Sequence, residues 1–187
     1  MEAIALEAGV AGKTVYAAFT TKSRLLRSLW DLLLKGDQDD APVAQRAWYR
    51  DMIEEPDPAR QLRMNARQSA AVKARIGPLL RVISEAASVD DDSAALWQLI
   101  QSDFYANQRA LVDSIHDHGG LRADLDPAIA TDILWTLNHP NTWLLLVDRG
   151  WTPDQFEIWL GEVTSQQLLT ESARPATRQT GPRAGTS

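Results

Sequence analysis

The sequence predicts an all-α protein with a small head of two short helices and a larger helical body. Apolar residues recur every three or four positions over most of residues 1–170, which is the period of an amphipathic helix. Pairs such as Asp57-Pro58, Asp126-Pro127 and Thr152-Pro153 place a capping side chain before a proline, as helix starts do. Alternating strand patterns are nearly absent, so a mixed or all-β fold is not expected.

Residues 4–19 read IALEAGVAGKTVYAAF and predict two short helices joined by a glycine-centred turn. Gly9 stands where the turn needs a left-handed residue, a conformation that glycine adopts without a Cβ penalty. The small apolar wedge that sets the angle between the helices is expected from Ile4, Ala5, Ala8 and Val10. The sequence therefore predicts a helix-turn-helix.

The second of these helices has the pattern of a DNA-reading helix, with Val15 and Phe19 facing inwards. We expect Lys13 and Thr14 to approach base edges or adjacent phosphates, and Tyr16 and Lys22 to hold phosphates. A solvated Lys13 and a Tyr16 ring packed on the head are the alternatives left open. The predicted DNA-binding residues are Gly12, Lys13, Thr14, Tyr16, Ala17, Thr21 and Lys22.

This stretch resembles the signature of the TetR family of bacterial transcriptional regulators. The resemblance implies a homodimer that binds a palindromic operator and acts as a repressor until a small-molecule effector releases it. Family members carry one more helix before the motif, whereas Met1 stands three residues before Ile4. We expect either an upstream start or a weakened head in which Leu26, Leu29, Trp30 and Leu33 lack a partner. The matching residues are Ile4, Ala5, Ala8, Gly9, Val10, Thr14, Val15, Tyr16, Phe19, Thr21, Lys22, Leu25 and Leu26, whereas Ala11 departs from the signature.

Charge is unevenly distributed along the 187 residues, whose formal net charge is −6. Residues 1–35 hold five basic and three acidic side chains, so a basic head sits on an acidic body, which suits local phosphate contact. Cysteine is absent, which excludes disulfides and thiolate metal sites. Without an 18-residue apolar run or a signal pattern, we expect a cytoplasmic protein.

The remaining helices follow in order from capping and stop signals. The predicted domains are a head at residues 1–38, an effector-binding and dimerisation body at 39–170, and a disordered tail at 171–187. Residues 77–78 (Gly-Pro) are expected to end one helix, and His139-Pro140 to kink another near Leu137. The predicted helices span residues 21–35 (capped by Thr21), 43–53, 58–76, 78–87, about 91–118 (ended by Gly119-Gly120), 127–149 and 153–169, with a break at 36–42.

An effector site in the body would be lined by large apolar and aromatic side chains. Ordinary core packing is the competing interpretation of each one. Arg67, Arg81 or Asp103 would orient a polar ligand if buried. The candidate pocket residues are Trp48, Met52, Met64, Trp97, Phe104 and Tyr105.

The last two helices predict a dimer interface, as the family resemblance also implies. The helix from Pro127 is apolar on nearly all sides and therefore needs cover on all sides, which a four-helix bundle with a second copy supplies. An ordinary intramolecular core is the alternative. The candidate interface residues are Trp135, Trp143, Phe156, Trp159, Leu160 and Val163.

Enzymatic function is not expected. His116 and His118 point to different sides of a helix, and the chain has no Gly-x-Ser-x-Gly, phosphate-binding glycine loop or Glu-x-x-His motif. We expect no cofactor and no metal. Two other functions stay open, namely a helical ligand-binding dimer that has lost DNA binding, and a module that binds another protein through a tryptophan-rich surface.

Overall fold

The computed structural model describes residues 1–35 and 45–175. Within these ranges the chain is helical and contains no β-strand, which confirms the all-α prediction. A short 3₁₀ helix, Glu171–Ala173, follows the last α-helix. The α-helices are α1 (Glu2–Glu7), α2 (Gly12–Phe19), α3 (Lys22–Lys35), α4 (Ala47–Ile53), α5 (Pro58–Ala86), α6 (Asp91–Asp117), α7 (Pro127–Leu137), α8 (Pro140–Val147) and α9 (Pro153–Leu168).

Three of the predicted cap-then-proline starts are confirmed. The Asp57 carboxylate accepts from the N–H of Ala59 at 2.9 Å, and that of Asp126 accepts from Ala128 at 2.7 Å. At α9, the Thr152 hydroxyl accepts from the N–H of Gln155, whose side chain accepts in return from the N–H of Thr152. Each cap satisfies backbone groups that a helix terminus leaves free.

Helix α5 is longer than the sequence predicts, because it continues through Gly77 and Pro78 to Ala86. The expected end at this pair is wrong. A residue before proline normally avoids the helical region because its Cβ meets the proline ring, but Gly77 has no Cβ. Ile76 and Leu80 on either side are buried, so packing compensates for the hydrogen bond that Pro78 cannot donate.

Helix α5 is the central element of the body, and it packs against α3, α4, α6, α8 and α9. One apolar cluster joins its N-terminal half to α4, α6, α7 and α9 through Leu62, Leu111 and Leu134. A second places Ala66 and Ala70 against α8 and α9. A third joins its C-terminal half to α6 and α3 through Ile76, Leu80, Ile83, Leu96 and Ile100.

The predicted interruption at His139-Pro140 is confirmed, since α7 ends at Leu137 and α8 begins at Pro140. His139 caps α8, because its ring Nδ1 accepts from the N–H of Asn141 at 3.1 Å. Proline at the first helical position suits this start, since that position needs no N–H donor.

Four predictions fall wholly or partly outside the described residues. The break at 36–42, the start of the helix at 43–53 and the domain boundary at 38 lie there, as do residues 176–187 of the tail. Residues 171–173 form a 3₁₀ helix instead of the disorder expected for them. The Arg174 guanidinium fixes this segment by donating to the backbone oxygens of Leu169 and Gln166.

Candidate functional site

In the head, the short helices α1 and α2 are joined by a turn centred on Gly9. Gly9 has a φ of +66°, and the N–H of Val10 donates back to the oxygen of Ala5 at 3.0 Å, which is a common way to end a helix at a left-handed glycine. Ala5 and Val15 are buried between α1 and α2. The rest of the expected wedge is wrong, because Ile4, Ala8 and Val10 are exposed.

The outer side of α2 carries most of the predicted DNA-binding residues. Lys13, Thr14 and Ala17 are exposed, and the Tyr16 side chain is 48 % exposed. Gly12 is half-buried, and a Cβ at this position would collide with the Glu2 carboxylate. The side chains left accessible on α2 can therefore donate to phosphates or base edges.

Thr21, which precedes α3, and Lys22, its first residue, are both exposed. The Thr21 hydroxyl accepts from the N–H of Arg24 at 3.2 Å and caps α3 as predicted. Thr20 before it has a φ of +58°, and the N–H of Thr21 donates to the oxygen of Phe19. This tight three-residue turn is a rare, strained conformation for a β-branched residue, and it fixes the direction in which α3 leaves the head.

Helix α3 joins the head to the body. Leu26, Trp30 and Leu33 pack on the apolar cluster of α5 and α6, so the expectation that these residues lack a partner is wrong. Leu29, the fourth of that set, stays 36 % exposed. Helix α3 therefore contacts both the body, through α5 and α6, and the second helix of the head, α2.

A partly open cavity of about 570 Å³ lies between α3 and the helices of the body. This volume falls in the range of small-molecule sites, about 300–1,000 Å³. The walls come mainly from α3, α4, α5 and α6, with Pro140 at the start of α8, and combine aromatic, apolar and charged groups. They include Arg27, Trp30 and Asp31 of α3, Trp48, Tyr49 and Met52 of α4, Asn65, Ser69, Lys73 and Ile76 of α5, and Ile100, Asp103, Phe104 and Gln108 of α6.

Lys73 is the unexpected group in this wall, since its side chain is only 4 % exposed. Its Nζ donates to Oδ1 of Asn138 at 2.6 Å and lies 5.3 Å from the ring centre of Phe104 and 5.5 Å from that of Phe156. Burial disfavours the charged ammonium and lowers the pKa of Lys73 to about 7. Lys73 can therefore gain or lose its proton near neutral pH.

Asn138 is held in place from three sides. Besides accepting from Lys73, its amide Nδ2 donates to Oγ of Ser69 at 2.9 Å and to Oε1 of Gln108 at 3.3 Å. Asn138 ends α7, while Ser69 and Lys73 lie on α5 and Gln108 on α6. The polar network therefore ties the α7–α8 break to both long helices of the body.

His139 extends this region on the other side of the break. Its Nε2 lies 2.9 Å from Oε1 of Gln101, while its Nδ1 accepts from the Asn141 N–H. A neutral ring with its proton on Nε2 satisfies both bonds. Burial, and secondly the charge of Lys73, lower the pKa of His139, so this neutral form is the one favoured at pH 7.

Three of the six predicted pocket residues, Trp48, Met52 and Phe104, line the cavity. Met64 lies with Trp48 in a smaller pocket of about 230 Å³. Trp97 packs instead on the α3, α5 and α6 cluster, and Tyr105 donates to Asp132 at 2.9 Å. The structure thus brings half of the predicted set together.

Of the three charged residues considered for orienting a ligand, only Asp103 lines the cavity. Arg67 borders the smaller pocket, and Arg81 pairs with Asp148 at 2.8 Å on the surface. The sequence analysis did not identify Lys73 as a site residue. Its position in the sequence could have done so, because Lys73 falls at helical spacing among the buried residues of α5 and therefore lies on the same face. These buried residues are Leu62, Ala66, Ala70, Ile76 and Leu80.

The predicted interface residues divide into two groups. Trp143, Phe156 and Leu160 are buried inside one chain against Ala66 and Ala70 of α5, so they are core residues and have no surface to offer a second copy. Trp135, Trp159 and Val163 are half-buried. The exposed apolar side chains of α8 and α9 are instead Leu145 at 69 %, Ile158 at 61 % and Val147.

The tryptophan-rich surface invoked for a protein-binding module is not present in the form expected. Trp143 is buried, while Trp135, Trp151 and Trp159 are half-buried. Trp151 and Trp159 pack edge to face at 6.0 Å between ring centres. These side chains mainly cover each other and the core beneath them.

In the part of the chain that the structure describes, no three His, Asp or Glu side chains come close enough to hold a metal ion. Nor does any helix described here combine the length and apolarity needed to cross a membrane. No protein-family model matches the chain, and neither the curated proteins nor the solved structures contain a match to it.

Proposed function

We propose that this chain is a DNA-binding transcriptional regulator of the TetR type. It acts as a homodimer on a palindromic operator, and a small molecule in the cavity beside α3 changes its affinity for DNA. Repression relieved by the effector is the mode we propose. The observation that carries the proposal is the continuity from the exposed face of α2, through α3, to the wall of the cavity.

The head supports DNA binding by its shape and its charge. Lys13, Thr14 and Tyr16 stand on one exposed side of α2, and Lys22 follows at the start of α3. A helix of this kind enters the major groove with its N-terminal residues at the base edges. The resemblance of residues 4–26 to TetR regulators supports the same role for these side chains.

Helix α3 supports control by a ligand. Its fourteen residues cover about 21 Å at 1.5 Å per residue, from Lys22 beside the DNA-reading helix to the end of the head. Arg27, Trp30 and Asp31 lie midway and line the cavity. A ligand that contacts these side chains in one position of α3 better than in another shifts the populations of the two positions.

Dimerisation is supported by the exposed apolar side chains of α8 and α9. Leu145 and Ile158 are both largely exposed, and the two helices are consecutive in the chain. Two heads in a symmetric dimer can reach successive major grooves if their α2 helices stand about 34–36 Å apart. We therefore propose that a surface centred on Leu145 and Ile158 contacts the second copy.

Fluorescence anisotropy with a pool of random DNA duplexes at low salt tests the proposal. Wild type should bind, and affinity should fall steeply as salt is added, since phosphate contacts release counterions. The double variant Lys13→Ala, Thr14→Ala should lose preference for selected sequences over the pool. Arg149→Ala, an exposed charge at the end of α8, is the matched control and should behave as wild type. Absence of binding by wild type would contradict the proposal.

The alternative is a ligand-binding helical dimer that does not read DNA. It is favoured by the location of the cavity, whose lining includes no residue of α1 or α2, and by the exposure of Ile4, Leu6 and Val10 on the head. This alternative predicts ligand binding without any DNA binding at low salt.

A further inference from the structure

A buried cation without an anionic partner marks the cavity. Among the described residues no Asp or Glu forms a salt bridge with Lys73, and Asn138 is the only acceptor of its Nζ. An ammonium has three N–H donors, so two remain for a ligand. Buried charges are normally paired because the cost of isolating them is large.

The surroundings of Lys73 suit an organic molecule with an acid group. Ser69 borders the cavity one helical turn before Lys73 and accepts from Asn138, so its own O–H can donate to a ligand. The aromatic rings of Trp30, Trp48 and Phe104 line the same space. Arg27 and Asp31, which also line the cavity, pair with each other at 3.1 Å.

We propose that the cavity binds an amphiphilic organic anion, whose acid group accepts from Lys73 and Ser69 and whose apolar body packs on Trp30, Trp48 and Phe104. The anion supplies the charge partner that Lys73 lacks. A cationic ligand would place like charges together in a medium of low dielectric constant. A neutral apolar ligand would leave the two free N–H groups of the ammonium without acceptors.

This inference deepens the proposed function and rests on it for the role of the ligand as an effector. An anion bound to Lys73 would also lie close to α3, because Trp30 and Asp31 of α3 line the same cavity. Binding of the anion would also affect the hydrogen bond from Lys73 to Asn138, the residue that ends α7. The class of ligand and the effect of the ligand on DNA binding are nevertheless measured in separate experiments.

Two fluorescent probes with the same aromatic body test the ligand class. 1-Anilinonaphthalene-8-sulfonate carries a sulfonate, and N-phenyl-1-naphthylamine is its uncharged counterpart. Both are titrated at pH 6.5 into wild type, Lys73→Met and Arg149→Met, without DNA. We expect Lys73→Met to weaken sulfonate binding at least tenfold and to leave binding of the uncharged probe within twofold. Arg149→Met, which removes an exposed charge, should change neither.

Equal loss of both probes in Lys73→Met, or no loss of either, would overturn the inference. Far-UV circular dichroism and the thermal midpoint show whether the variant is folded. A second measurement needs no variant, since decanoate and decanol can each be tested for displacement of the sulfonate probe from wild type. Decanoate should displace it at least tenfold more effectively, and equal displacement would count against an anion site.

Neither titration depends on DNA, so the two proposals can fail separately. Selective binding of the anionic probe by a chain that binds no DNA would support the anion site and exclude the regulator. If the chain binds DNA but binds both probes equally well, the regulator is supported and the anion site is excluded.

Discussion

The ammonium nitrogen of Lys73 on α5 lies 2.6 Å from the side-chain oxygen of Asn138, the residue that ends α7. This bond joins the middle of the longest helix to the break between α7 and α8. Because Lys73 also lines the cavity, a ligand that bound its ammonium group would act directly on this bond. Its strength depends on whether Lys73 carries its proton.

Stability should depend on pH through Lys73. Burial lowers its pKa to about 7 in the folded chain, whereas a solvated lysine of the unfolded chain has a pKa of 10.5. Between these values the unfolded lysine keeps a proton that the folded one has lost, so the free energy of unfolding rises with pH, by at most about 1.4 kcal/mol per pH unit. Below pH 7 both states hold the proton and the slope disappears.

Urea unfolding of wild type and Lys73→Met at intervals from pH 6 to 9.5 measures this slope. The difference between the two proteins removes the contributions of shared groups whose pKa Lys73 does not influence, such as Tyr49. We expect the wild type to gain stability relative to the variant above pH 7. Parallel pH profiles would show that Lys73 does not titrate in this range.

Asn138→Ala should destabilise the body by about 1–3 kcal/mol, because Lys73 and the carboxamide of Gln108 would lose a buried partner. Asn141→Ala is the matched control, since Asn141 is exposed and contributes only its backbone N–H to His139. Denaturant titration of both variants decides the matter. An equal, small effect in both would mean that the network is not important for stability.

Phe156 and Ile158 are both apolar residues of α9, but we expect the first to stabilise the fold and the second to stabilise the dimer, because only Phe156 is buried. Phe156→Ala removes a fully buried ring and should cost about 3–5 kcal/mol of folding stability. Ile158→Asp changes a side chain that is 61 % exposed and should instead weaken the dimer.

Sedimentation equilibrium reports the second effect, with Val89→Asp as the control. Val89 is an apolar residue, 87 % exposed, at the turn between α5 and α6. We expect a higher proportion of monomer for Ile158→Asp alone. An unchanged association constant would show that Ile158 of α9 is not part of the dimer contact.

Tyr16→Ala and Lys22→Ala should weaken binding to all DNA sequences alike. Both residues are assigned to phosphates, which fix register and carry no sequence information. Lys22→Ala should also reduce the slope of log affinity against log salt by about 1. Anisotropy titrations at several salt concentrations measure both effects, and unchanged affinity for each variant would refute the assignment.

Local signals in the sequence predicted local structure well. Asp57, Asp126 and Thr152 cap helices as expected, because a cap depends on only a few neighbouring residues. Gly9 adopts its left-handed conformation for the same reason. Pro78 misled the prediction, since the absence of a Cβ at Gly77 and the packing of Ile76 and Leu80 allow α5 to continue.

The candidate site was harder to predict because it depends on contacts between distant parts of the chain. The apolar stripe of Phe156 and Leu160 shows that something covers it, but periodicity does not say whether α5 or a second copy does so. The role of Lys73 on the apolar face of α5 could not be predicted, because its partner Asn138 is 65 residues away in the sequence. The link of residues 4–26 to TetR regulators stays a prediction.

Selection from a pool of random DNA duplexes by the purified chain tests the central claim most directly. We predict enrichment of a palindrome whose half-sites lie one helical turn apart, about 34–36 Å, or a small multiple of that distance. The Lys13→Ala, Thr14→Ala variant should enrich no such sequence. If wild type enriches no sequence even at low salt, the chain is not a sequence-specific regulator, and the ligand-binding dimer takes its place.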